Sequence, residues 1–154
     1  MTKEINIYES KFGNLNLGNG PDNEFIWSGY VNEIPIYIFT KNRIISNETI
    51  EFVEAVVLNI DQYLETAILY IKETLTEKRE KYNIKESEYD LLVLDPDLFP
   101  IAMPEFTFWE DSVEWMIRFA DGKFNICDPL GIGITFRFRK PISVDNLEES
   151  EWID

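Results

Sequence analysis

The chain has no histidine and only one cysteine in 154 residues. Without imidazole it lacks the side chain that most often serves as a base near neutral pH and as a nitrogen ligand for zinc. A single thiol closes no disulfide within the chain, and with no base to activate it Cys127 reads as a small buried hydrophobe, not a nucleophile. No apolar run approaches the roughly 20 residues of a membrane span. The opening MTKEINIYES alternates polar with apolar residues, in place of the basic and then apolar segments of a secretory signal. The expectation is a cytoplasmic protein with no membrane partner. Basic residues are scarce too: 14 Lys and Arg stand against 29 Asp and Glu, for a formal net charge of -15.

That charge exceeds the magnitude of roughly 2–8 expected of a small soluble domain. It is spread unevenly: five acids face four bases up to Ser46, eleven face five from Asn47 to Asp90, and thirteen face five from Leu91 onward. Direct binding to nucleic acid is disfavoured, because phosphate contacts need clustered Lys and Arg. A basic protein would instead be drawn in from a distance. The competing reading is an ordinary acidic protein whose charge only keeps it in solution.

Hydrophobic residues make up 45% of the chain, enough for one core, so residues 1–154 read as a single domain of mixed α+β class. In EFIWSGYVNEIPIYIFT a turn at Asn32-Glu33 pairs Val31 with Ile34, Gly29 with Ile36, Trp27 with Ile38 and Phe25 with Thr40. This is a hairpin with one apolar face and Tyr30, Tyr37 and Phe39 on the other. The preceding FGNLNLGNGPDNE, dense in Gly and Asn, reads as a loop. From Asn47, apolar residues recur every three or four positions from Ile50 to Leu75, behind the capping candidates Ser46 and Asn47. This predicts one long amphipathic helix. Continued to Tyr82 it would be about 50 Å long, against a domain about 38 Å across, so it is expected to stop early or to bend, the bend falling at Asn59-Ile60-Asp61. The polar EKREKYNIKESEYD reads as helix end and loop. Asp95 and Asp97, beside prolines, supply too few oxygens for a metal and fit turn chemistry.

The C-terminal third reads as an antiparallel meander. A turn at Asp111-Ser112 pairs Phe108 with Trp115 and Phe106 with Ile117; a second at Asp121-Gly122 pairs Phe119 with Phe124 and Ile117 with Ile126. Asp128-Pro129-Leu130-Gly131 fits a type I turn ahead of a strand in which Ile132, Ile134, Phe136 and Phe138 alternate. A phosphate-cradling loop would need a helix after the glycines, and Asp128 would repel the anion. The reverse side of this meander carries Thr107, Trp109, Glu114, Met116, Arg118, Asn125, Cys127, Thr135, Arg137 and Arg139. A solvated sheet face explains such a set, and so does a contact surface, where Trp, Met and Arg are enriched.

The succession FGNLNL, FIWSGYVNEIPIYIF, a long helix, and MPEFTFWEDSVEWMIRFADGKFNICDPLGIGITF resembles small bacterial domains that include immunity proteins of polymorphic toxin systems. The resemblance carries no catalytic motif. It implies a protein that binds and blocks a toxin, often a basic nuclease.

The leading expectation is therefore an acidic protein-binding module without catalytic activity, needing neither cofactor nor metal, present as a monomer or weak dimer. Its contact residues would be Trp109 as anchor with Met116, and Glu110, Asp111, Glu114, Asp121, Asp128, Glu148 and Glu149 as the acidic surround. Two other classes stay open. One is a small hydrolase working with a carboxylate pair, and the other an oligomeric subunit that buries its second sheet face.

Overall fold

The computed structural model describes residues 6–110, 112–128 and 130–147. Eight strands form one sheet in chain order: β1 (Ile7–Ser10), β2 (Gly13–Asn19), β3 (Phe25–Val31), β4 (Ile34–Thr40), β5 (Ile101–Trp109), β6 (Glu114–Gly122), β7 (Ile132–Arg137) and β8 (Lys140–Asn146). Every neighbouring pair is antiparallel except β4 and β5, which run parallel. A parallel pair cannot be joined by a tight turn, and the crossover here holds α1 (Asn47–Val57), α2 (Ile60–Glu77) and the short α3 (Tyr89–Leu92). The expected α+β class holds. The N-terminal hairpin and the C-terminal meander are halves of one continuous sheet.

The hairpin has the register its alternation predicts, Val31 opposite Ile34 and Phe25 opposite Thr40. Asn32 and Glu33 both take positive φ, 49° and 68°, as a two-residue primed turn requires. The segment expected to be a loop is instead largely β2. Its outward residues are polar because they lie near the sheet edge, while Leu15 alone is driven fully into the core.

The helical stripe breaks close to where its length demanded. Leu58 donates to the Glu54 carbonyl as α1 ends, and Asn59 starts α2 with its side chain turned back to the carbonyl of Ala55. Ser46 caps α1 by accepting the Thr49 N–H. The single long helix is therefore two, and the second stops at Glu77, short of Tyr82. Tyr82 is buried, and its hydroxyl donates to the Val144 carbonyl, which ties the chain beyond α2 to β8.

Both helices cover one face of the sheet. Trp115 lies at the centre of that core, stacked on Phe136 at 4.3 Å and Phe108 at 5.2 Å between ring centroids, with Tyr63 of α2 edge-on at 5.4 Å. Phe52 of α1 meets Phe108 and Trp115 edge-on. Two carboxylates are buried beside this packing and hydrogen-bonded there. Glu54 accepts the Lys11 N–H, and Glu88 accepts the N–H groups of Lys85 and Asn125.

The second turn of the meander is where the structure departs from the pattern. Phe108 does face Trp115 and Phe106 faces Ile117, although Asp111 of that turn is outside the described residues. Asp121-Gly122 is not a turn. β6 runs through it, still pairing with Ile101 and Ala102, and Phe119 lies opposite Ile132 instead of Phe124. Phe124 and Ile126 leave the sheet for a 3-10 turn, where Phe124 packs on Phe99 at 5.5 Å and Ile126 and Cys127 are buried. Gly122 is needed for closeness, not for a turn, since a Cβ there would come within 2.6 Å of the Cys127 sulfur. Pro129 of the expected type I turn is outside the described residues. Gly131, at φ 85°, donates to the Cys127 carbonyl, one residue further back than such a turn requires. The strand after it buries Ile132, Ile134 and Phe136, but Phe138 belongs to the β7–β8 turn, at φ 53° and 55% exposed.

Candidate partner interface

The face of the sheet turned away from the helices is uneven. Across its middle a row of side chains crosses five strands, Tyr37, Thr107, Met116, Thr135 and Ser143. Towards β8 this row is partly roofed. Gly133 leaves a hollow beside the Met116 sulfur that Leu147 fills, and Leu147 is only 1% exposed. Thr135 and Ser143 both donate to Asp145. Arg118 donates from Nε to the Leu130 carbonyl at 2.6 Å and from Nη1 to Glu105 at 3.0 Å, so its charge is spent within the sheet. Burial, then the Glu105 charge, hold the Tyr37 hydroxyl above its ordinary pKa.

Towards β3 and β4 the face is aromatic. Phe39 and Trp109, neighbours across the parallel pair, stack at 6.0 Å with 16° between their planes, both half-buried, and Tyr30 stands 69% exposed. Glu110 continues this seam: its N–H donates to the Phe39 carbonyl and its carboxylate accepts the Lys41 N–H at 3.2 Å.

At the end of the sheet, between the first turn of α1 and the β5–β6 connection, lies a cavity of about 340 Å³. Phe52, Trp109, Phe138, Glu48 and Glu114 are among its lining residues. A separate depression past Phe138 is lined by Arg137, Arg139 and Lys140, and among the described residues none of these three makes an ion pair.

The structure divides the residues expected to act together. Trp109, Glu110 and Glu114 gather at one end of β5 and β6. Met116 lies further along, half-buried and beside the hollow that Leu147 fills, which makes it floor more than contact. Asp121 is exposed seven residues down β6 from Glu114, about 23 Å away at strand rise, and Asp128 lies beyond the 3-10 turn at that far end. Asp111, Glu148 and Glu149 lie outside the described residues. Of the expected reverse face, Asn125 and Cys127 are not in the sheet, and Arg139 is in the β7–β8 turn. The Cys127 thiol is buried and its pKa is pushed up to about 12, chiefly by desolvation. The Phe39–Trp109 stack was missed because nothing local announces the parallel pairing. The signal present was IPIYIF and FTFW, apolar on both faces, as interior strands are.

Among the described residues no helix is long and apolar enough to cross a membrane, and no group of three or more His, Cys, Asp or Glu side chains is placed to hold a metal ion. Comparison with family models, with curated proteins and with solved structures finds no match to this chain.

Proposed function

We propose that this protein is an acidic binding module that attaches to a basic protein partner and blocks it, in the manner of an immunity-type inhibitor of a toxin domain. The observation that carries the reading is the Phe39–Trp109 stack, a pair of half-buried aromatic rings on the sheet face turned away from the helices. Half-exposed aromatic pairs of this kind give an interface its central anchor, because they bring large apolar area with little rotamer entropy to lose. Glu110 and Glu114 border the pair, and the net charge of -15 favours encounter with a cationic surface.

Capture from native lysate at low and at high salt, with the captured protein then purified, tests the reading. The expected partner is basic, is released by salt, and dissociates faster from Trp109→Ala. A partner that is acidic, or one held equally well by Trp109→Ala and at high salt, overturns it.

A further inference from the structure

The cavity at the end of the sheet has a lining that selects for one kind of occupant. Its volume of about 340 Å³ falls in the range of small-ligand pockets. Its lining includes the buried Phe108 and Trp115, the half-buried Phe52 and Trp109, and the exposed Phe138. Aromatic faces attract cations through the ring quadrupole. The charged residues in the lining are Glu48 and Glu114, both exposed, and no Lys or Arg lines it among the described residues. The start of α1 does not reverse this polarity. Ser46 already accepts the Thr49 N–H, and Glu48 in the first turn offsets the helix dipole. Arg137, Arg139 and Lys140 lie past Phe138 and bound the site on that side.

We propose that this cavity receives the guanidinium of an arginine side chain, presented by the basic partner inferred above. The identity of the occupant rests on that reading; the chemistry of the cavity does not. Guanidinium fits better than ammonium because it is planar, stacks on aromatic rings, and gives up its hydration at lower cost. The plane lies against Phe52 and Phe138, and Glu48 and Glu114 balance its charge.

The test needs no partner. Nα-acetyl-arginine amide is titrated into the full-length 15N-labelled protein, alongside the citrulline analogue, which has nearly the same shape and no charge. The Trp115 indole N–H donates to the Phe138 carbonyl at 2.6 Å, so contact with Phe138 is reported by that signal as well as by the Trp109 indole. The arginine probe should shift both with a dissociation constant on the order of 1–10 mM, at least about tenfold tighter than citrulline. Glu48→Gln with Glu114→Gln, two exposed changes that leave the fold intact by circular dichroism, should weaken it about fivefold or more. Equal response to both probes would mean a pocket for shape alone and would overturn the proposal, as would an arginine response unchanged by the double substitution or no response to either probe. If arginine binds but no basic protein is captured, the inhibitor reading falls and the cavity stands. If a basic partner is captured while both probes are ignored, the reverse holds.

Discussion

Trp115 and Phe138 are joined by a hydrogen bond from the indole nitrogen of the first to the carbonyl of the second, 2.6 Å long. The bond ties the centre of the core, where Trp115 is 1% exposed, to a surface turn whose Phe138 ring stands out in solvent. Burying an indole requires a partner for its N–H, and here that partner is a turn carbonyl on the cavity wall. The shape of the cavity thus depends on core packing.

Trp115→Ala should cost about 3–5 kcal/mol, because it removes a ring packed against five aromatic neighbours and leaves a void. Trp109→Ala, on the half-open face, should cost less than half of that. Urea unfolding of both variants measures the difference, and equal losses would contradict the assignment of the two faces.

Glu88→Ala removes the acceptor of two backbone N–H groups, those of Lys85 and Asn125, and should destabilise by about 1–3 kcal/mol. Glu88→Gln keeps one acceptor oxygen and should fall between Ala and the parent. Hydrogen exchange at the Asn125 amide should quicken in both variants.

Cys127 should resist thiol reagents at pH 8 in the folded protein and react once urea unfolds it, since burial holds the thiol at about 12 against an ordinary 9.0. A raised acid pKa means that the folded state keeps its proton longer than the unfolded one. This contribution to stability is therefore constant below about pH 9 and declines between 9 and 12. Denaturation of Cys127→Ala over that interval should show a shallower loss of stability with pH than the parent.

Charge and anchor should act on different rates. Reversing Glu110 and Glu114 to Lys should slow association with the captured partner and flatten its salt dependence, whereas Trp109→Ala should mainly speed dissociation. Stopped-flow measurement at low and physiological ionic strength separates the two. An association rate indifferent to both salt and reversal would reduce the acidity to a solubility trait.

Where periodicity and turn chemistry agreed, the sequence was sufficient. Asn32-Glu33 set the hairpin register, Phe106 and Phe108 found Ile117 and Trp115, and helix length foretold a break near Asn59. It misled where one motif has two uses. Asp121-Gly122 has the composition of a hairpin turn, yet Gly122 serves to admit the Cys127 sulfur, a packing reason that only the tertiary arrangement reveals. In β2, Asn and Gly disguise a strand whose inward Leu15 and Leu17 are its only apolar residues. As for the site, Trp109 and Glu114 were legible from strand alternation. Their partners Phe39, Phe52, Glu48 and Phe138 come from distant segments, and no local pattern brings those together.

The parallel seam between β4 and β5 joins residues as far apart in the chain as Ile36 and Phe106, whereas the other strand pairs close over short turns or loops. Ordering so long a loop is entropically costly, so each four-strand half is expected to form first and the seam to zip last, limiting the folding rate. The same line that is slowest to form should be the first to part under strain. A partner gripping Phe39 and Trp109 would hold one ring from each half and act as a clasp across it, and its binding energy would appear as resistance of the whole sheet to unfolding.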